Sequence, residues 1–174
     1  ADGAFAKGSA CGPRHASPTT PQKPAATDSS GHSDRPAIMA RIVLDASVTL
    51  VWLCDEDPSA ARIKRTLDGS DLVAPTLWRL EVANVILVRE RRKILSQAHA
   101  LRLLHLLDEL PIEFIPDQPS ATAAAIAHTA RPHQLSAYDA RYLDVAIRQG
   151  LPLFTRDVNL HAAAARVGLA LVKE

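Results

Sequence analysis

Four acidic residues lie at points of the sequence where a parallel sheet would bring their side chains together. Two carboxylates about 4 Å apart repel by roughly 4 kcal/mol at an effective dielectric of ~20, so such a group needs protons or a bound cation. Carboxylate oxygens without clustered His or Cys suit a hard ion, Mg²⁺ or Mn²⁺. Such an ion positions and deprotonates water and neutralises a phosphodiester in its transition state. The four residues are Asp45, Glu81, Asp139 and Asp157.

Each of these acids also has a purely structural explanation. Asp45 and Asp157 could each cap the helix that follows. Asp139 stands three residues after Ser136, in a pattern like a capping box. Glu81 could reach solvent from the edge of an apolar helical stripe. The combination of four acids, rather than any one of them, favours a metal site.

Polar and basic residues accompany the acids. Asn84 lies three residues after Glu81, on the same helical face, and could orient that carboxylate or a bound water. Thr155 could add a hydroxyl at a strand end, and Asn159 is a second polar group nearby. Arg156, next to a proposed ligand, is the preferred phosphate contact. Such a local contact would make nucleic-acid binding salt-dependent.

Short apolar runs alternate with helical stripes in the larger, later part of the chain. Strands separated by helices of this length indicate an α/β fold, with a parallel sheet covered by helices on both faces. Such sheets bind ligands at the carboxyl ends of their strands. Five strands are predicted, at 41–45, 71–74, 112–115, 152–155 and 169–172. Helices are predicted at 47–53, 58–67, 76–93, 96–110, 120–130, 136–149 and 157–167. The predicted caps are Thr76, Ser96 and Ser136 at amino ends and Gly150 after a carboxyl end.

Composition narrows the class of protein. The 174 residues carry 20 Lys and Arg against 19 Asp and Glu, which excludes a strongly cationic coat, so any nucleic-acid contact must be local. Two Cys, Cys11 and Cys54, are too few for a disulfide scaffold or a Cys-rich zinc module, and they fit a reducing cytoplasm. No apolar run approaches the roughly 20 residues that a membrane span needs.

The first 38 residues differ from the rest. They hold 5 of the 12 Pro and 4 of the 7 Gly, one aromatic residue and no apolar periodicity, so we expect residues 1–38 to be disordered. They lack the apolar core of a secretory signal. Met39 is either the natural start, with an added or read-through extension before it, or the residue that follows a genuine disordered tail. Residues 39–174 match the usual size of one domain.

Four segments carry a resemblance to a known family. In the right order, each with its acid, they resemble the PIN-domain family, and in particular the VapC-type toxins of bacterial toxin–antitoxin (VapBC) pairs. The resemblance covers essentially residues 40–174. The segments are RIVLDASV at 41–48, LEVANVI at 80–86, LSAYDARYL at 135–143 and LPLFTRD at 151–157.

The resemblance implies a three-layer α/β/α sandwich and an endoribonuclease that depends on Mg²⁺ or Mn²⁺. Thr155 matches the small hydroxyl residue that is common before the last Asp of the family. Asn159 falls where many relatives carry another acid. By position, the metal-binding and catalytic acids would be Asp45, Glu81, Asp139 and Asp157.

The same resemblance implies partners. They are an RNA substrate, a small VapB-type antitoxin whose tail inserts near the active site, and a second copy of the chain in a homodimer. Leu50, Trp52 and Leu53, near the first helix, could form part of the antitoxin groove.

Two other classes of function stay open at this point. One is a different metal-dependent phosphohydrolase, although the sequence Asp45-Ala46-Ser47 lacks the Asp-x-Asp of a phosphoaspartyl enzyme. The other is a catalytically silent PIN module that binds RNA or protein, against which the intact set of four acids argues.

Overall fold

The computed structural model describes residues 40–54 and 57–173. The predicted disorder of residues 1–38 and the role of Met39 lie outside these residues. Within the described part, apolar β-branched runs become strands and amphipathic runs become helices, in the alternation that the sequence predicts.

A parallel sheet forms the centre of the domain. In the described residues it has four strands, in the order β3-β2-β1-β4, and all pairs are parallel. The strands β1 and β2 are therefore central, and three consecutive residues of β1 and four of β2 are buried, because helices cover both faces. The strands are β1 (Arg41–Leu44), β2 (Asp71–Pro75), β3 (Ile112–Ile115) and β4 (Leu153–Phe154).

The predicted fifth strand, 169–172, is reduced to a single bridge. Leu171 pairs in parallel with Leu153. The N–H of Leu153 donates to the carbonyl of Ala170, and the N–H of Val172 donates back to Leu153, both at 3.0 Å. Because β4 is only two residues long, it offers too little length for a regular ladder beside it. The prediction of about five strands is thus corrected to four with a bridged neighbour, and the α/β three-layer fold is confirmed.

Seven α-helices and one short 3₁₀ turn, Arg131–His133, connect the strands among the described residues. None of these helices is both long and apolar enough to cross a membrane. The helices are α1 (Ala46–Cys54), α2 (Ala60–Leu67), α3 (Trp78–Arg91), α4 (Gln97–Glu109), α5 (Ala123–Ala130), α6 (Ala137–Gln149) and α7 (Val158–Arg166).

The predicted caps are confirmed at some helices and wrong at others. The hydroxyls of Ser96 and Ser136 accept backbone N–H groups at the starts of α4 and α6, as predicted. Thr76 is not a cap, because β2 runs on through Pro75 and α3 begins only after Leu77. Helix α5 begins later than predicted, where Thr122 accepts the N–H of Ala125.

Buried side chains between the layers hold α3 and α6 in place. Trp78 of α3 is fully buried, and its indole Nε1–H donates to the hydroxyl of Thr49 in α1 at 3.1 Å. On α6, the buried Arg141 pairs with both Asp117 and Asp144. A buried charge is tolerated when it is paired in this way. These contacts fix the two helices that carry the acids Glu81 and Asp139.

The end of α6 depends on one glycine. Gly150 adopts φ 63°, in the left-handed region, and its N–H donates to the carbonyl of Ile147 at 3.2 Å. A Cβ at this position would meet no atom within 4 Å, so the cost of replacing it comes from the backbone conformation alone. Left-handed backbone costs roughly 1–2 kcal/mol for an L-residue with a side chain.

We therefore expect Gly150→Ala to lower the free energy of unfolding by about 1 kcal/mol. Urea denaturation of the full chain measures the change. Gly150→Asn is the matched control and should lose less, because Asn tolerates this region. Equal losses for Ala and Asn would show that the backbone conformation does not set the cost.

Candidate active site

Asp45 lies at the carboxyl end of β1 and is almost completely buried. Only 4% of the residue is exposed. Its Oδ2 accepts hydrogen bonds from the hydroxyls of Thr155, at 2.8 Å, and Ser47. Burial raises the pKa of Asp45, the two hydroxyls oppose that rise, and the charge of Asp139 adds to it. The carboxyl is therefore held in one place in an environment that disfavours its charge.

The pairing of β1 with β4 explains why Asp45 meets Thr155. Leu44 is in register with Phe154, so the residues that follow them are neighbours at the same edge of the sheet. The N–H of Asp45 donates to the carbonyl of Phe154 at 3.0 Å and extends the ladder by one step. The predicted hydroxyl at this strand end is thus in direct contact with the first acid.

Glu81, on α3, is bonded to α6. The phenol of Tyr142 donates to Glu81 Oε2 at 2.5 Å. Burial raises the pKa of Glu81, the phenol opposes that rise, and the charges of Asp45 and Asp139 reinforce it. The pKa of Tyr142 is also raised, first by burial and then by Glu81, which accepts its hydrogen bond, so the phenol remains a donor.

Asp139, in the first turn of α6, takes part in the cap of that helix and also lies near the other acids. Its N–H donates to the Ser136 hydroxyl at 3.0 Å, and that hydroxyl donates back to Asp139 Oδ2 at 2.7 Å. The same carboxylate is close enough to shift the pKa of Asp45 and of Glu81. Capping and membership of the acidic site are therefore compatible.

Asp157 joins the other acids through a hydroxyl. Its Oδ1 caps α7 by accepting the N–H of Leu160 at 2.8 Å. Its own N–H donates to Thr155 Oγ1 at 3.0 Å, and that hydroxyl in turn donates to Asp45. Three predicted acids are thus coupled by their charges, and the fourth is linked to them through Thr155.

The donor set fits a hard divalent ion, although the acids do not form a compact ligand cluster. Across residues 40–54 and 57–173, no three His, Cys, Asp or Glu side chains are arranged closely enough to hold a metal. The acids at this edge nevertheless offer oxygen donors alone, and their mutual repulsion is what a cation would relieve.

None of the remaining predicted residues has a described hydrogen bond to one of the four acids. Asn84 is exposed on α3 and lines an open cavity with Glu81. Asn159 is exposed in the first turn of α7. The Nη1 of Arg156 donates to Asp57 Oδ2 at 3.1 Å and to a serine hydroxyl, that of Ser59, at 2.8 Å. The structure therefore ties Arg156 to the turn before α2, a partner that the sequence did not indicate.

Three residues that were missed in the sequence analysis bond the predicted site residues. Ser47 bonds Asp45 and also accepts the N–H of Arg156 at 3.0 Å, and its place two residues after an acid was the available signal. For Tyr142, the only signal was its place on the helical face of Asp139. Asp57 gave no signal, and its pKa is lowered by Ser59 and then by Arg156.

A comparison with protein families agrees with this geometry. The model of the PIN domain matches residues 42–166, which is most of the chain. The chain belongs to the PIN-domain family. No curated protein matches this PIN-domain chain in sequence closely enough to count as a relative.

Solved structures show the same fold. PAE2754 from Pyrobaculum aerophilum aligns with TM-score 0.56 and 23% identity over 71% of this chain and 79% of its own. VapC20 from Mycobacterium tuberculosis, a toxin that cleaves the sarcin–ricin loop, aligns with TM-score 0.55 and 15% identity over 76% and 99%. FitAcB from Neisseria gonorrhoeae aligns with TM-score 0.55 and 19% identity over 76% and 96%. At these identities the likeness concerns the fold of the PIN domain.

The raised pKa of Asp45 predicts how stability depends on pH. A carboxyl whose pKa is higher in the folded state than in the unfolded state contributes most to stability at pH below its unfolded-state pKa. That contribution is lost as the pH rises through its folded-state pKa. In EDTA, Asp45→Asn should therefore be more stable than the wild type at mildly alkaline pH, and the gain should shrink on acidification. Thermal unfolding across pH measures it.

The matched control is Asp71→Asn, which removes an exposed carboxyl at the opposite end of the sheet. It should not reproduce the pH-dependent gain. An Asp45→Asn protein that is less stable than the wild type at every pH would contradict the role assigned to burial.

Proposed function

We propose that this PIN domain is a metal-dependent endoribonuclease and the toxin of a type II toxin–antitoxin pair. The observation that carries the proposal is the electrostatic coupling of Asp45, Glu81 and Asp139 at the carboxyl edge of the sheet, with Asp157 one hydroxyl away. PIN domains are generally nucleases, and the similar VapC20 is a toxin that cleaves the sarcin–ricin loop.

The four acids would hold Mg²⁺ or Mn²⁺. Such an ion, when bound, supplies an activated water and neutralises charge on the phosphodiester. The hydroxyls of Ser47 and Thr155 hold Asp45 in place for this role. Because the metal needs ionised ligands, its binding should displace the protons that the raised pKa values favour.

Glu81 would complete the metal shell or accept a proton from the attacking water. Burial raises the pKa of Glu81, which makes its carboxylate a stronger proton acceptor. The phenol of Tyr142 holds one oxygen of Glu81 and fixes the carboxylate relative to α6. Positioning of this kind is a large part of what a protein contributes to phosphodiester hydrolysis.

Arg156 would contact a phosphate of the RNA. It follows Thr155 and precedes Asp157, so its guanidinium starts from the rim of the acidic site. Its bonds to Asp57 and Ser59 hold the side chain beside the turn before α2. A guanidinium fixed in this way is suited to phosphate oxygens.

We place the protein and its proposed protein partners in the cytoplasm. Two surfaces of the domain could bind these partners. Helix α5 buries none of its residues completely, and Ile126 and Leu135 line an apolar hollow of about 360 Å³ on its side, which suits a second copy of the chain. Trp52, with Leu72 and Pro111, lines an open cleft of about 550 Å³ at the amino end of the sheet, which suits part of a VapB-type antitoxin but not a tail that reaches the acids at the carboxyl end.

We expect the full chain to cleave structured RNA with Mg²⁺ or Mn²⁺, but not in EDTA, and to leave small phosphate esters intact. Asp45→Asn should lower the cleavage rate about a hundredfold or more, with an unchanged circular dichroism spectrum. The distant Asp71→Asn should keep its activity. Retained cleavage by a pure Asp45→Asn protein, or hydrolysis of the esters alone, would refute the proposal. The same holds for cleavage in EDTA.

We expect Arg156→Gln to raise KM for RNA with a smaller effect on kcat. The slope of log affinity against log salt should fall by about one, because one phosphate contact is lost. The matched control is Arg166→Gln, since Arg166 lies at the far end of α7 and bonds a carbonyl of its own helix. If both variants change the slope equally, Arg156 has no special contact with RNA.

A further inference from the structure

An open groove adjoins the acidic site. It has a volume of about 440 Å³, which is in the range of small-ligand sites. Helix α3 supplies most of its wall, and the first turn of α6 supplies the rest. Glu81 belongs both to this groove and to the coupled acids, so the two are continuous. The lining residues are Leu77, Leu80, Glu81, Asn84, Val85 and Tyr138.

The rim of the groove exposes apolar side chains. Leu80 is 74% exposed and Tyr138 is 60% exposed. In the described part of the chain, every other aromatic residue is buried or half-buried, so Tyr138 is an exception. It also immediately precedes Asp139. An exposed aromatic ring over an apolar groove, one residue from a site acid, indicates a binding surface.

We propose that this groove receives one unpaired base of the RNA, next to the scissile phosphate. Tyr138 stacks on the base, Leu80 packs against its other side or edge, and Asn84 bonds its polar edge. This inference rests on the proposed function and deepens it, because it assigns the residues that choose the cleavage position.

Charge and chemistry favour a base over the other parts of a nucleotide. The carboxylate of Glu81 repels a phosphate inside the groove but not a neutral base, so the RNA backbone stays beside the other three acids and the metal that they would hold. Stacking of a base on an aromatic ring is worth roughly 1–3 kcal/mol and tolerates any base. The amide of Asn84 can donate and accept, so it is the group that can discriminate between base edges.

A protein occupant fits the groove less well. A stable protein interface buries about 800 Å² on each partner, whereas this groove offers four apolar side chains around a carboxylate and an amide. An apolar partner segment would bury Glu81 and Asn84 without partners for their polar atoms, which is costly. A planar base fits the small apolar area with its face and offers polar edges to Glu81 and Asn84.

The test uses short fluorescein-labelled single-stranded oligoribonucleotides and the full chain in EDTA, where binding is measured by anisotropy without cleavage. Tyr138→Ala should weaken binding about tenfold. Tyr138→Trp should restore most of it, because the larger ring still stacks. The control Ile147→Ala changes an exposed apolar residue elsewhere on α6 and should bind like the wild type.

An abasic nucleotide, moved along the oligonucleotide, locates the occupant. At one position it should weaken binding to the wild type but not to Tyr138→Ala, which is the signature of coupled partners in a double-mutant cycle. With Mg²⁺ present, Asn84→Ala should broaden the base preference beside the cut, because the cleavage rate with the best base falls toward the rates with the other bases.

Additive effects of Tyr138→Ala and the abasic nucleotide at every position would overturn the inference. So would conversion of a wild-type dimer to a monomer by Tyr138→Ala in light scattering, because the groove would then be a contact between copies. A wild-type protein that shows the coupling in EDTA but does not cleave RNA with metal would refute the proposed function and leave the base groove standing.

Discussion

The burial of one carboxyl group, that of Asp45, sets the conditions for the rest of this domain. Asp45 is 4% exposed, and a buried carboxyl is costly unless it is hydrogen-bonded; its Oδ2 accepts from Ser47, two residues later, and from Thr155, which directly follows β4. The contact with Thr155 requires the parallel pairing of β1 with β4, and that pairing requires the helices between them. The register of the sheet is therefore also the geometry of the site.

The acids that have helix-capping roles do not lose their place in the site. Asp139 bonds the Ser136 hydroxyl that caps α6, and its charge also raises the pKa of Asp45. Asp157 caps α7, and its N–H also bonds Thr155, the hydroxyl partner of Asp45. Helix amino ends favour negative charge, so helices that start at the carboxyl edge of a sheet stabilise carboxylates there without a metal. This explains how a domain can keep several acids close together before a cation is bound.

Much of the architecture could be predicted, because strand runs such as 41–44 and caps such as Ser136 are set by local sequence. The edge strand at 169–172 could not, because its pairing depends on the length of its neighbour β4. Contacts between side chains that are far apart in the sequence could not be predicted either. The bond between Tyr142 and Glu81 joins residues 61 apart, and neither has a local signal for the other. The partner of Arg156 was missed for the same reason.

The contact between Thr155 and Asp45 spans 110 residues of chain. While the protein is being synthesised, Asp45 leaves the ribosome 110 residues before its hydroxyl partner. A nascent chain that has not yet reached Thr155 also lacks Asp157, so its first acid is without the neighbour that holds it. The acidic site can therefore form only after the chain has been made through residue 157.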